Sequence, residues 1–450
     1  MCRCSSYLNF LYPSCLLQLP KSFTMGRKSK SHSDPTTSMA KKKAKAEKED
    51  EKVGGTDIIS QLHSNIVTDI LSRLPFNTLF SCRCVCKTWL HLLVDPSFAQ
   101  LYHTRAHPCI ILQPTYKHRN QHLYAVHFDN RNHVRKSSTR IKFPTKTHLS
   151  MGCNVKLSLL DSCNGLILLG EMYQYRYHDF VKLGQLYVCN PITAEFIIVK
   201  PGIKLPSFSV CPCLGFCPKT QVYKVVLLSK QQYGVEVSNS MQTLVYTLGV
   251  KGNGLWKSVN VGNDVLGHPR NTTFLNGIIH WVVRSTSAPQ FIYSFDVEDE
   301  CFQPVPPPPE FVSLSPEQSA WSKPRICLGM LEGCLTIGNV AKDASYCFHI
   351  WVMKDYGVQE SWTKTYTMDF TIHKEVLLLP ISQILGLCHN GDILFTNYDR
   401  NLVSFNPANS SCKIHKIERL CCVKVLSYSA NFSLLREIAR GELLFNATLR

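Results

Sequence analysis

The stretch that decides the fold is residues 58–105, IISQLHSNIVTDILSRLPFNTLFSCRCVCKTWLHLLVDPSFAQLYHTR. Apolar residues recur in it at helical spacing as far as Leu74. Pro75 ends this first helix, because proline disfavours helical geometry at the residue before it. A second amphipathic run is predicted from Thr78 to Val94, and Asp95-Pro96 ends that run. The pattern predicts a small all-α module, which gains stability by burying apolar surface against a partner.

The residues of this module resemble both halves of an F-box. The first half is carried by Ile66-Val67, Asp69-Ile70-Leu71 and Leu74-Pro75, and the second by residues 83–89 and 92–98 in the form common to plant F-box proteins. The resemblance implies docking on a Skp-type adaptor that bridges to a cullin ubiquitin ligase. Two residues depart from the family pattern: His63 stands where the family usually has proline, and Asn65 stands where it usually has an acidic residue.

The resemblance also implies roles for individual side chains. The implied adaptor-binding residues are Leu62, Ile66, Val67, Ile70, Leu71, Leu74 and Pro75. The implied core of the second half is Val85, Trp89 and Leu93. Helical spacing alone would fit a hairpin of an ordinary core equally well. The motif of the second half, with its Trp and its Asp-Pro-Ser-Phe ending, favours the F-box.

Length and composition leave room for a second, larger part. A chain of 450 residues can hold two or three domains, or one small module and a large repeat domain. An apolar content of 44% suits a protein with a sizeable core. No apolar run reaches the roughly 18 residues that a membrane span needs. We therefore expect no membrane partner.

The formal charge of +17 is concentrated in two segments. Residues 1–56 hold 11 Lys and Arg against 5 Asp and Glu, and residues 101–150 hold 9 against Asp129 alone. The first segment lies in a predicted disordered tail over 1–57, whose composition buries too little surface to offset ordering entropy. In that tail, the run 41–45 reads either as a nuclear import signal or as a solvated basic run. We expect the nucleus, the cytoplasm or both.

Beyond the helical module, short strands recur with a period of about 55 residues. Apolar residues lead into a polar turn at Phe128, Cys189, Val245, Phe295, Ile350 and Phe405. Tight turns between apolar strands interleave with them at Asn164-Gly165, Pro218-Lys219, Asn276-Gly277, Glu332-Gly333 and Asn390-Gly391. An Asn-Gly pair between apolar runs is the strongest short hairpin signal. About four strands for each period, repeated six times, predict the blades of a β-propeller.

This second part resembles the F-box-associated, kelch-like domain of plant F-box proteins. The matching segments are Asp161 to Ile167, Cys189 to Thr193, Leu214 to Pro218 and Tyr223 to Val226. The predicted organisation is therefore α+β and multidomain: an F-box over 58–105, a propeller of about six blades over 106–425 and a closing segment over 426–450. Leu434 to Leu444 are expected to form a terminal helix or to complete the last blade.

The sequence offers no constellation for catalysis or for metal binding. Nucleophile-elbow, phosphate-loop and zinc-protease motifs are missing from it. Of the 21 cysteines, Cys82, Cys84 and Cys86 and the group Cys211, Cys213 and Cys217 lack the paired spacing of a zinc site. Seven of the 17 histidines fall within 101–150, including His118, His122 and His127, and Asp129 is the only carboxylate residue in that segment. We expect neither a cofactor nor an enzyme.

Two functions remain open. The favoured one is a non-catalytic substrate receptor, which docks on a Skp-type adaptor and, through it, a cullin ligase, and whose propeller presents an unidentified target protein. The basic residues Arg131, Arg135, Lys136 and Arg140 would favour an acidic or phosphorylated target. The alternative is a basic nuclear protein- or nucleic-acid-interaction module whose F-box no longer recruits a ligase. His63 and Asn65 give weight to that alternative.

Overall fold

The computed structural model describes residues 62–74, 76–105, 109–114, 122–128, 134–142, 153–175, 181–200, 210–233, 236–249, 256–260, 269–283, 292–312, 326–340, 347–369, 381–388, 390–397, 401–415, 423–440, 444–446 and 448–449. The predicted tail over 1–57 and Pro75 lie outside these residues, as do His118, Arg119, Asp129 and Arg131. No helix among the described residues is long and apolar enough to cross a membrane.

Four helices open the described part of the chain. They are α1 (Ser64–Ser72), α2 (Phe76–Cys82), α3 (Lys87–Val94) and α4 (Pro96–Arg105). The predicted second helix over 78–94 is wrong as a single element, because Arg83, Cys84 and Val85 form a turn. Cys86 then takes an extended conformation, and its Sγ accepts a hydrogen bond from the Trp89 backbone N–H, so that α3 begins anew.

The rest of the described chain is mainly β, with two short α-helices and one 3₁₀ helix, Gln359–Ser361. The strands are β1 (Cys109–Pro114), β2 (His122–Phe128), β3 (Val134–Lys142), β4 (Cys153–Cys163), β5 (Leu166–Tyr175), β6 (Val181–Asn190), β7 (Glu195–Val199), β8 (Val210–Cys217), β9 (Val222–Tyr233), β10 (Glu236–Thr247), β11 (Lys257–Asn260), β12 (Pro269–Leu275), β13 (Ile278–Val283), β14 (Ile292–Asp296), β15 (Cys301–Val305), β16 (Ile326–Leu331), β17 (Cys334–Val340), β18 (Cys347–Met353), β19 (Trp362–Asp369), β20 (Ile381–Leu387), β21 (Ile393–Asn397), β22 (Leu402–Asn406), β23 (Ser411–His415), β24 (Val423–Tyr428), β25 (Leu444–Asn446) and β26 (Thr448–Leu449). The helices α5 (Pro309–Val312) and α6 (Leu435–Ile438) follow β15 and β24.

The described strands form six antiparallel sheets, which are the blades of a closed propeller. Blades 2 to 6 begin with β4, β8, β12, β16 and β20, and each contains four consecutive strands. Blade 1 has the order β24-β1-β2-β3-β26, so both ends of the domain meet in it. The first strands of neighbouring blades lie side by side around the whole ring, with β24 between β20 and β4. The predicted six-bladed propeller after a helical module is confirmed.

Tight turns explain how the strands of one blade follow one another. Asn164-Gly165, Asn276-Gly277 and Glu332-Gly333 have positive φ at both residues, as two-residue hairpin turns require. The loops at Pro218-Lys219 and Asn390-Gly391 are longer, because β9 begins at Val222 and β21 at Ile393. The expected turns at Val245-Tyr246 and Ile350-Trp351 are wrong, because these residues lie inside β10 and β18.

A second kind of turn joins the third strand of a blade to its fourth. In blade 2, Asn190 Oδ1 accepts hydrogen bonds from the backbone N–H groups of Ile192 and Thr193. Asp296 and Asn406 make the corresponding pairs of bonds in blades 4 and 6. These residues occupy the polar-turn positions of the sequence repeat, where a short acceptor side chain replaces a backbone partner.

Candidate functional site

The outward surface of α1 carries two neighbouring apolar side chains. Ile66 is 50% exposed and Ile70 is 47% exposed, and their spacing of four residues places them one above the other on the helix. Val67 and Leu71 are buried in the core beside them. The two isoleucines together form a small exposed apolar surface on α1, next to neighbours that are buried.

The predicted adaptor-binding residues therefore separate into two groups. Ile66 and Ile70 lie on the outside, while Val67 and Leu71 face the interior and support the helix from within. The partly buried residues Leu62 and Leu74 pack against the same core at the two ends of α1. The spacing of apolar residues could not separate these groups, because one wide stripe contains all of them.

Asp69 of α1 forms two ion pairs, one with the end of its own helix and one with α4. Arg73 binds the Asp69 carboxylate through Nε at 3.0 Å, and Arg105 of α4 reaches the same carboxylate through Nη1 at 2.6 Å. The Arg105 Nη1 also donates to the Ser72 hydroxyl at 2.7 Å. Hydrogen bonds from Arg73 and Arg105 lower the pKa of Asp69 below its ordinary value. The carboxylate therefore stays charged at neutral pH and keeps its ion pair with Arg105 of α4.

The two departures from the F-box pattern lie at the beginning of α1. His63 Nδ1 accepts a hydrogen bond from the Asn65 backbone N–H at 3.4 Å, and so caps the helix. Both side chains are exposed. The departures therefore change the surface that a partner would meet, and they leave the packing of the module intact.

The three predicted core residues in the second half of the module differ in how deeply they are buried. Leu93 is buried, and Trp89 is partly buried against the same cluster. Val85 is 63% exposed, so the core position predicted for it is wrong. The reason is the turn between α2 and α3, which directs this residue to solvent. Val85 is thus a third exposed apolar residue of the module.

No group of three or more His, Cys, Asp or Glu side chains that could hold a metal occurs among the described residues. Of the cysteines in the helical module, Cys82 is buried while Cys84 and Cys86 are exposed. In blade 3, Cys211 is partly exposed and Cys213 and Cys217 are buried. Burial raises the pKa of Cys82 above its ordinary value, so this thiol stays protonated at neutral pH.

The basic residues predicted to favour an acidic target are only partly described. Arg135, Lys136 and Arg140 belong to β3 of blade 1, and β3 pairs with β2 and with β26. Arg131 lies outside the described residues. An acidic or phosphorylated target consequently stays a prediction.

Sequence reasoning did not foresee the residues that join the helical module to the propeller. The buried side chains of α1 to α4 belong to one apolar cluster with strands of blades 1 and 2 and with Phe432. Arg83 contacts the turn that follows β6. Asn190 was visible in the sequence as part of a repeated turn, whereas Phe432 lies beyond the repeat and carries no local signal.

Two family models match the chain. The F-box domain matches residues 59–101, and the F-box associated beta propeller domain matches residues 115–429. These matches coincide with the helical module and with most of the propeller. The two departures from the family pattern, His63 and Asn65, fall inside the F-box match.

Relatives from Arabidopsis thaliana resemble the chain over much of its length. One F-box protein is 26% identical over 391 residues, which cover 79% of this chain and 87% of the relative. An F-box/kelch-repeat protein is 24% identical, with 66% and 77% covered, and the F-box protein CPR1 is 28% identical, with 68% and 72% covered. Among solved structures, an ancestral GH74 enzyme is 12% identical with a TM-score of 0.35, covering 72% of this chain and 44% of that one, which is too weak to carry an argument.

Proposed function

The chain belongs to the family of F-box proteins whose F-box is followed by an F-box associated β-propeller domain, and on that premise we propose that it is the substrate-recognition subunit of a Skp–cullin–F-box ubiquitin ligase. The combination of the two domains supports a substrate-recognition role in general. In this proposal, a defined surface of the F-box binds the adaptor and the propeller binds the target.

The observation that carries the proposal is the exposure of Ile66 and Ile70 on α1. A Skp-type adaptor would bury these two side chains, with Leu62 and Leu74 at the edges of the contact and Pro75 next to Leu74. Fully burying an isoleucine contributes about 1.5–3 kcal/mol relative to leaving it in water. Val67 and Leu71 would act from within, because they keep α1 in place on the core.

The contribution of this chain to ubiquitin transfer would be proximity. A target held on the propeller has a lysine near the ubiquitin thioester of the ligase, so an encounter between two molecules becomes a step within one complex. Such a role requires no reacting group from this chain. The target itself is a protein that the blades would recognise.

The geometry also suggests where a target would bind. Arg83 contacts the turn between β6 and β7, so the F-box lies at the end of the propeller that carries the tight turns. The second strands of the blades end, and the third strands begin, at the opposite end. We propose that end as the target face, because the F-box and its adaptor leave it free.

The test is co-purification of the full chain with a Skp-type adaptor. We expect a stoichiometric complex with the natural sequence and its loss in the double variant Ile66→Asp, Ile70→Asp. Val358→Asp is the matched control, since Val358 is also an exposed apolar residue, at 45%, but lies beyond β18 of blade 5. A folded natural chain that captures no adaptor would contradict the proposal and favour the alternative of a basic interaction module.

A further inference from the structure

Three separated parts of the chain meet where the F-box touches the propeller. The F-box contributes Arg83 and α4, and blade 2 contributes the turn over 190–195. The third part is the segment 429–435, which follows β24. We call this meeting point the joint. Its parts lie more than 80 residues apart along the chain, so contacts between side chains hold it together.

Arg83 forms the polar contact between the F-box and blade 2. Its Nη1 donates a hydrogen bond to the Ile192 carbonyl oxygen at 2.6 Å. Burial lowers the pKa of Arg83, and the nearby Cys84 and Glu195 act in the opposite direction. Even so, a guanidinium keeps its charge at neutral pH. A hydrogen bond from a charged donor is stronger than one between neutral groups, so this contact helps to hold Arg83 against the blade 2 turn.

Phe432 forms the apolar contact between the C-terminal segment and α4. Its ring is 1% exposed and packs edge to face on Phe98, with centroids 6.0 Å apart, and on Tyr102, with centroids 5.3 Å apart. The Tyr102 hydroxyl donates to the Leu74 carbonyl at the end of α1. Aromatic pairs of this geometry add to the effect of burial alone. The C-terminal segment thus packs directly on the F-box.

The blade 2 turn holds the C-terminal segment in place. Asn190 Nδ2 donates to the carbonyl oxygens of Asn431, at 3.0 Å, and Ser433, at 2.8 Å. Glu195 Oε2 accepts a hydrogen bond from the Leu435 backbone N–H at 2.6 Å. Asn190 and Glu195 are both buried. The turn therefore fixes the two ends of the stretch that carries Phe432.

We infer that this joint holds the F-box at one angle to the propeller, and that Phe432 and the segment 431–435 are positioning elements for ubiquitin transfer. The inference rests on the proposed function, since a fixed angle is useful where the adaptor and the target bind different parts of one chain. A fixed angle restricts which lysines reach the thioester. Loosening the joint would leave adaptor binding intact and would widen the choice of lysines.

The test compares four full-length or truncated chains, each bound to a Skp-type adaptor. Phe432→Ala removes the aromatic contact, and truncation after Ala430 removes the whole segment. Truncation after Arg440 is the matched control, because it deletes β25 and β26 but keeps the contacts of Asn190 and Glu195. Hydrogen exchange is measured in α4 and, as a check of the propeller, in β14 and β18.

We expect exchange in α4 to rise at least tenfold in Phe432→Ala and after truncation at Ala430. The chain ending at Arg440 keeps the natural rate, and β14 and β18 stay protected in all four chains. Unchanged exchange in α4 after loss of Phe432 would overturn the inference. If no chain binds the adaptor, the proposed function fails, while exchange in the free chains still tests the joint.

The second readout is ubiquitin transfer in the reconstituted ligase, with the lysines of this chain as acceptors. We expect a restricted set of modified lysines for the natural chain and for the chain ending at Arg440. In Phe432→Ala the set broadens, although the adaptor is bound equally well. An identical set of lysines in the natural chain and in Phe432→Ala would contradict a positioning role and leave Phe432 a packing residue only.

Discussion

Gly165 and Asn431 lie so close that a β-carbon placed on Gly165 would stand 2.0 Å from the β-carbon of Asn431. Gly165 has a φ of +83°, in the second position of the first tight turn of blade 2. Its carbonyl oxygen also accepts a hydrogen bond from the Tyr428 hydroxyl at 3.2 Å. The turn thus joins two strands of blade 2 and also packs against the C-terminal segment.

Gly165→Ala should destabilise the chain more than the turn alone explains. A side chain at this φ costs about 1–2 kcal/mol, and the clash with Asn431 adds about 1–3 kcal/mol of overpacking. Gly333→Ala is the matched control, because Gly333 has a φ of +75° and no atom within 4 Å of an added β-carbon. Urea unfolding measures both. Equal losses in the two variants would show that Asn431 yields without cost.

Two neighbouring residues of α1, Ile70 and Leu71, should contribute differently to stability when each is replaced by alanine. Leu71→Ala should lower the free energy of unfolding by about 2–5 kcal/mol, because it leaves a cavity in the core. Ile70→Ala should lower that free energy by only about 1 kcal/mol, because Ile70 is half exposed. Adaptor affinity, measured by calorimetry, should fall in Ile70→Ala. A stable Leu71→Ala would contradict the inward placement of Leu71.

Local patterns were sufficient to predict the architecture. The turns at Asn164-Gly165 and Asn276-Gly277 were foreseen because positive φ is a property of two adjacent residues. The blade count followed from their spacing. The break at Arg83 was missed, because the apolar pattern continues through a turn that only Cys86 and its extended backbone reveal.

Contacts between distant segments could not be predicted in this way. Phe432 reaches Phe98 across more than 300 residues, and the closure of the ring brings them together. Likewise, helical spacing identified Ile66 and Val67 as members of one stripe, but their different exposure depends on how α1 packs against the core. Which face of a small module points outward is a tertiary property.

His280 should make stability depend on pH. It is buried in β13, and its Nε2 lies 2.7 Å from the Tyr356 hydroxyl. Burial lowers the pKa of His280 to about 4, against 6.5 ordinarily. The unfolded chain therefore binds this proton first, so stability is lost as the pH falls from about 6.5 towards 4, by up to about 3 kcal/mol.

His280→Phe should flatten this dependence, as measured by urea midpoints at several pH values between 7 and 4. Tyr356→Phe removes the hydroxyl but leaves His280 buried, so its pH dependence should persist. A His280→Phe chain whose midpoint falls with pH as steeply as that of the natural chain would assign the dependence to other groups, such as the buried His415.

Glu300 should contribute to the contact between blades 3 and 4. Its carboxylate accepts hydrogen bonds from Lys224, at 2.8 Å, and from Lys257, at 2.6 Å. Burial acts to raise the pKa of Glu300, but the two lysines outweigh it, and the pKa lies below its ordinary value. This contribution is therefore complete above about pH 4.5 and is lost as the pH falls below that value.

Glu300→Gln tests this ion pair at neutral pH. Lys224 is only 12% exposed, so losing its charged partner should cost about 2 kcal/mol in urea unfolding. Lys219→Met removes the exposed pair with Glu298 on the same pair of blades and should leave the unfolding midpoint unchanged. If Glu300→Gln left the free energy of unfolding unchanged, water would be hydrogen-bonded to Lys224 in place of the carboxylate.

Asn190→Asp distinguishes the two roles of the Asn190 side chain, which are to form its own turn and to bind the C-terminal segment. Aspartate can still accept from the N–H groups of Ile192 and Thr193, as Asp296 does in blade 4. It cannot donate to the carbonyls of Asn431 and Ser433, and it places a buried charge against them. We expect the free energy of unfolding to fall by at least about 2 kcal/mol, with faster hydrogen exchange over 431–438 and in α4.

Asp296→Asn is the control. It keeps both turn hydrogen bonds, so its free energy of unfolding should stay within about 0.5 kcal/mol of that of the natural chain. Equal effects of the two substitutions would show that Asn190 serves its own turn alone; a selective effect of Asn190→Asp would show that blade 2 holds the C-terminal segment and, through it, the F-box.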